Sequence, residues 1–151
     1  MEAFEAELVD AVRDRTAGES VPAAFHRFVI DRSARLADEE VAEVIATAGR
    51  IIGASSALQA REREIVARYS RVLGRLIAEE TGRDGDDVEA RAVANALMGA
   101  HRALVEYARE QVLAGARGEK LARRVRAQAK RAFDRLERGL ARDGERGAGE
   151  P

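Results

Sequence analysis

The sequence predicts an all-α protein of about six helices. Three observations carry this: apolar residues recur at spacings of three and four along most of the chain, only two prolines interrupt 151 residues, and the apolar fraction of 46% rests mainly on alanine, leucine and valine, with no tryptophan. One domain is expected at this length.

The first helix spans about residues 2–15, with Phe4, Leu8, Ala11 and Val12 on one stripe, and ends before Gly18, a residue suited to the left-handed cap position. Ser20 caps the second helix and Pro22 sits in its first turn, where a missing N–H costs little. It runs to about Leu36 and buries Phe25, Phe28 and Val29. Asp38, followed by Glu39 and Glu40, opens a third helix with Val41, Val44, Ile45, Ala48 and Ile52 on one face. Ser56 to Gln59 reads as a capping box for a fourth, whose Leu58, Ile65, Val66, Tyr69, Leu73 and Ile77 keep a helical period until Thr81 and Gly82. A second capping box, Asp86 to Glu89, starts a fifth helix reaching about Ala114. After a break at Gly115 to Gly118, a sixth runs to Arg142. Residues 1–142 are expected to form the domain and residues 143–151, which contain no large apolar side chain, a disordered tail.

The last two helices should form an antiparallel hairpin. Small residues on the fifth (Ala92, Ala96, Gly99, Ala100 and Ala103) allow close helix approach. The apolar positions of the pair exceed what one hairpin partner covers, so either a second subunit or the first four helices must cover the rest.

Several chemistries are excluded. Without cysteine there is no disulfide, thiolate zinc site or thiol nucleophile. Neither His26 nor His101 follows a glutamate by three positions, which removes the Glu-x-x-His pair of di-metal bundles, and no phosphate loop, dinucleotide fingerprint or nucleophile elbow is present. No enzyme activity, cofactor or metal is expected. The acidic start of the chain and the lack of any apolar run of membrane-spanning length give an expectation of a cytoplasmic protein without membrane contact. Charge is uneven: residues 117–146 hold eleven basic and five acidic side chains, residues 1–116 fifteen and twenty-one. The arginines of the last helix scatter around its polar side with no aromatic between them for base stacking, so a solvated face is the better reading than nucleic-acid binding.

Polar residues on apolar faces are the remaining signal. His101 has Leu97, Met98, Leu104 and Val105 as helical neighbours, and Asn95 lies one turn from Met98 and Gly99. Tyr69 is central in the fourth stripe. Such groups either orient a ligand in an apolar cavity or are ordinary core residues with one satisfied hydrogen bond.

The segment from Arg50 to Arg61, the alanine-rich stretch from Ala92 to Leu104 and the closing run from Arg131 to Leu140, taken in order, resemble the C-terminal regulatory domain of the tetracycline-repressor (TetR) family of bacterial transcription regulators. The resemblance implies a connector first helix, an effector-binding core from the second to the fourth, and a last pair that builds a four-helix bundle in a homodimer. By helical phase it places Phe25, Phe28, Ile52, Tyr69, Asn95, Met98 and His101 at a cavity for a small, mostly apolar effector. Leu104, Ala108, Val125, Ala129, Phe133 and Leu136 fall at the dimer seam. DNA would be contacted only through a helix-turn-helix module outside this chain. The alternative is a structural helical dimerisation or interaction module with no small-molecule ligand.

Overall fold

The computed structural model describes residues 2–141, and the tail for which the sequence predicts disorder lies outside them. Six α-helices follow in order: α1 (Glu2–Arg13), α2 (Val21–Ser33), α3 (Glu39–Gly53), α4 (Ser56–Glu80), α5 (Val88–Leu113) and α6 (Gly118–Ala141). No strand occurs among the described residues. The second helix is shorter than its sequence pattern suggests. At Ser33, whose hydroxyl donates to the Ile30 carbonyl at 2.6 Å, the chain tightens into a 3-10 turn over Ala34–Ala37 that keeps Leu36 buried.

Helix starts follow side-chain chemistry. Ser20 accepts from the Ala23 N–H at 3.2 Å, and Glu80, from the far end of α4, accepts the N–H of Val21 at 3.0 Å. Asp38 accepts from the Glu40 N–H at 2.8 Å. Two caps stand one residue away from their sequence-read positions. Ser55 rather than Ser56 caps α4, accepting from the Leu58 N–H, and Asp87 rather than Asp86 caps α5, accepting from the Ala90 N–H at 2.9 Å. In both runs two adjacent residues have capping side chains, and spacing alone does not choose between them. Replacing Asp87 by alanine is expected to lower stability by about 1 kcal/mol, read as a lower urea midpoint with an unchanged slope. Asp86→Ala should change little.

The long helices α5 and α6 lie side by side, joined by a turn in which Gly115 and Gly118 take positive φ of 93° and 65°. Helix α4 packs along α5, while α6 also packs against α2 and the 3-10 turn. The buried side chains form two clusters. The larger joins Leu8 and Val12 of α1, Phe25 of α2, Leu73 of α4, Leu97 of α5 and Phe133 of α6. The smaller joins Leu36, Ala42 and Ala46 to Ala108, Val112, Leu121 and Val125. Helix α3 covers this second cluster, and the space of interest lies where the two meet.

Within the single chain the stripe of the last two helices is already covered. Leu104, Ala108, Val125, Ala129 and Phe133 are all buried within this one chain, the last two with no exposed surface, and Leu136 is half-buried against the larger cluster. These six contribute to the chain's own core: α2, α5 and the 3-10 turn pack on the stripe of α6, and α3 packs on α5. On the outer side of α5, Ala92, Gly99 and Ala103 are exposed and Ala96 and Ala100 half-buried.

Candidate ligand-binding site

A spacing of three and four along α5 puts Met98, His101, Val105 and Arg109 on one face. Opposite them α4 presents Glu62, Ile65, Val66 and Tyr69, and the glycine-bearing end of α3 presents Gly49, Ile52 and Gly53. Phe4 of α1 closes the inner end. Between these elements lies a cavity of about 480 Å³, within the range of small-molecule sites. Its depth is apolar and aromatic, and its mouth carries Gln59, Arg63, Arg102 and Glu106.

Arg109 and Glu62 form a forked ion pair across the mouth, with Nη1 donating to Oε2 at 3.1 Å and Nη2 to Oε1. The guanidinium's hydrogen bonds hold the Glu62 carboxyl below its ordinary pKa although burial pushes it up. The Arg109 stem runs past Gly49, where a side chain would meet its methylenes at 3.8 Å. This strap therefore ties α4 to α5 beneath the end of α3.

Aromatic rings organise the inner wall. Phe4 and His101 stack at 5.1 Å with 24° between planes, Phe4 leans on Tyr69 at 4.9 Å, and Phe28 meets Phe4 edge-on at 5.5 Å. The Arg32 guanidinium lies 5.1 Å from the Phe4 centroid and 5.5 Å from that of Phe28, and also pairs with Glu7 of α1. The end of α2 and the start of α1 thus meet at the cavity. Burial pushes the Tyr69 phenol pKa up.

His101 Nδ1 is closed off from solvent and has no hydrogen-bond partner. Desolvation, with the Arg32 charge adding to it, lowers the imidazole pKa to about 4, so the ring is neutral at neutral pH. A neutral imidazole nitrogen is a donor or an acceptor, and leaving it unmatched costs about 1–3 kcal/mol. His101 is thus a cavity-lining residue that holds an unmatched polar atom among apolar and aromatic neighbours.

The residues anticipated from the sequence are distributed unevenly. Ile52, Tyr69, Met98 and His101 line the cavity. Phe25 and Phe28 stand behind that wall: Phe25 meets the edge of His101 at 6.2 Å and Phe28 contacts Phe4. Asn95 is exposed on the outer side of α5 and takes no part, because its helical phase falls between the cavity face and the hairpin face. Phe4, Glu62 and Arg109 were not anticipated as cavity residues. Phe4 carried a signal in the stripe of α1, whereas Glu62 and Arg109 sit in highly charged stretches with nothing to separate a buried-edge pair from a solvated one.

Among the described residues, one side-chain group has donor atoms close enough to hold a metal ion: His26, Asp134 and Glu137, whose ligand atoms lie within 4.8 Å of one another. Its present role is to join α2 to α6, through His26 Nδ1 and Glu137 Oε1 at 2.8 Å, with the imidazole stacked on Phe133.

The chain is thus an all-helical domain whose two long C-terminal helices form a hairpin beside an apolar hollow. Comparison with protein families narrows this. Residues 19–141 match the family described as the MftR C-terminal domain, and the chain belongs to this group of TetR-type C-terminal domains, the regulatory ligand-binding and dimerisation parts of transcription regulators. No curated protein and no solved structure matches it. No single helix among the described residues is long and apolar enough to cross a membrane.

Proposed function

We propose that this domain binds a small, mostly apolar effector in the cavity beneath α3, forms a homodimer through the outer side of α5 and α6, and passes the bound state through α1 to a DNA-binding module outside this chain. The observation that carries the reading is the cavity itself, with His101, whose Nδ1 is unmatched, among its lining residues. Phe4 supplies the route outward. It is the α1 residue in the cavity wall, so an occupant that moves its ring pushes directly on the connector helix. A ligand shifts such an equilibrium only by its differential affinity for the two arrangements, and about 1–3 kcal/mol is enough for regulation.

The dimer is assigned to the small-residue side of α5 rather than to the buried stripe of α6. Ala92, Gly99 and Ala103 leave the backbone of α5 open to close approach, and the area above Gly99 is empty within the chain. A second α5–α6 pair set against this side makes a four-helix bundle.

Two experiments test the reading. A thermal-shift screen of apolar metabolites should find compounds that stabilise saturably, by about 2.7 kcal/mol at a hundred-fold excess over Kd, and the effect should vanish in Ile52→Trp, which fills the hollow from a half-buried position. Absence of any stabilising compound would favour a ligand-free interaction module. In sedimentation, Gly99→Arg should convert a dimer to a folded monomer. An unchanged dimer would move the interface elsewhere.

A further inference from the structure

Two hollows meet at His101. Besides the cavity between α4 and α5, a second of about 370 Å³ lies towards α2, the 3-10 turn and α6, with Val29, Leu104 and Val125 among its walls. Phe4, His101, Val105 and Arg109 border both. The partition is therefore a single layer of side chains, and its centre is the stacked pair of Phe4 and His101 rings. That pair is held by ring contact, since Phe4 has no polar atom and His101 Nδ1 is bonded to nothing.

We propose that the two hollows are one bipartite site for an elongated, mainly apolar molecule carrying a single uncharged hydrogen-bonding group, a hydroxyl or carbonyl, near its middle, which meets His101 Nδ1 while an apolar arm occupies each hollow. This rests on the ligand-binding reading above and names the class of the ligand. The polar group belongs in the middle because Nδ1 is the buried side-chain polar atom left unmatched among the described residues, and its residue, His101, borders both hollows, so a molecule that displaces the stacked Phe4 ring reaches the imidazole. It is uncharged because the cations that border the partition and the second hollow are already engaged. Arg32 and Arg35 share Glu7, and Arg109 is forked onto Glu62. A ligand carboxylate would have to displace one of these glutamates or lie desolvated against a neutral imidazole, while a ligand cation would face Arg32 without a free carboxylate. Passage of the molecule across the partition turns the Phe4 ring aside, which couples occupancy of both hollows, and not of one, to α1.

The test uses the full chain and displacement of the neutral dye N-phenylnaphthylamine by three probes: undecanol with its hydroxyl on the middle carbon, its terminal-hydroxyl isomer, and undecanoate. The mid-chain alcohol is expected to bind about ten-fold more tightly than either of the others, the scale of one buried hydrogen bond. In His101→Leu the dye should still bind, showing a folded cavity, and the two alcohols should become equivalent. In Ile45→Trp, which fills only the second hollow from a half-buried position on α3, the preference should pass to the terminal alcohol. Equal affinity of the two alcohols for the unmodified chain, tighter binding of undecanoate, or a preference that survives His101→Leu overturns the bipartite site while leaving ligand binding intact. Failure of the dye and of every probe to bind saturably removes ligand binding in this cavity altogether.

Discussion

Truncating Phe133 to alanine is expected to lower the unfolding free energy by about 3–5 kcal/mol. The ring has no exposed surface, meets Phe25 edge-on at 5.8 Å and carries the stacked His26 at 5.0 Å, so its loss opens a cavity at the point where α6 is locked to α2. For a domain of this size that is a large share of total stability. The change should appear as a lower urea midpoint at all protein concentrations. Phe133→Arg separates two ideas about α6. A seam residue so replaced would leave a folded monomer, whereas a core residue so replaced buries an unpaired charge and unfolds the chain. Burial favours the second outcome, and circular dichroism together with sedimentation distinguishes them. A helical, monomeric Phe133→Arg protein would return Phe133 to the subunit interface.

The fate of α6 shows what a sequence specifies and what it leaves open. Periodicity located the stripe that includes Val125, Ala129 and Phe133 and indicated that it must be covered. It did not say by what, because covering by α2, α5 and the 3-10 turn and covering by a second subunit demand the same apolar spacing. The helices themselves were legible to within a few residues, since their ends are set by local chemistry: Ser20, Asp38 and the positive-φ Gly18, Gly82 and Gly115 stand where the caps and breaks were read. Where two candidate caps are adjacent, as at Ser55 and Ser56, the register was missed by one.

The site was legible in proportion to how much of it lies on single helix faces. Met98 and His101 share one face of α5, and Tyr69 holds the centre of the α4 stripe, so phase alone placed them. Asn95 is one turn from Met98, yet it is exposed and does not line the cavity, because a step of three residues turns its side chain away from the cavity face. Phe4 belongs to the wall only because α1 folds back across α2, held by Glu7 with Arg32 and Arg35, a tertiary arrangement with no trace in the local pattern. The same holds for Arg109 and Glu62, which are separated by 47 positions and meet only in the folded chain.

Replacing His101 by phenylalanine should flatten the dependence of stability on pH between about 6.5 and 4. In the folded chain the imidazole pKa is lowered from 6.5 to about 4, first by burial and then by the charge of Arg32. Within that window the unfolded chain binds a proton that the folded chain refuses, so unfolding is favoured as pH falls. The contribution is fully present above about pH 6.5. It declines by about 1.4 kcal/mol per pH unit, to a total loss of about 3 kcal/mol near pH 4. Carboxylates held low by arginines, such as Glu7 and Glu62, also destabilise the fold in acid, but their share is lost as pH drops below their ordinary value of 4.5. Because His26 and every carboxylate are common to both proteins, the difference between them from pH 6.5 to 5 isolates His101, and the unmodified protein should lose about 2 kcal/mol more than His101→Phe in urea titrations. Equal losses in the two proteins would mean that His101 reaches solvent or a partner in solution, and that the cavity wall carries no unmatched nitrogen. The phenylalanine keeps a ring against Phe4, so the comparison removes the proton site while leaving an aromatic partner for the α1 side chain.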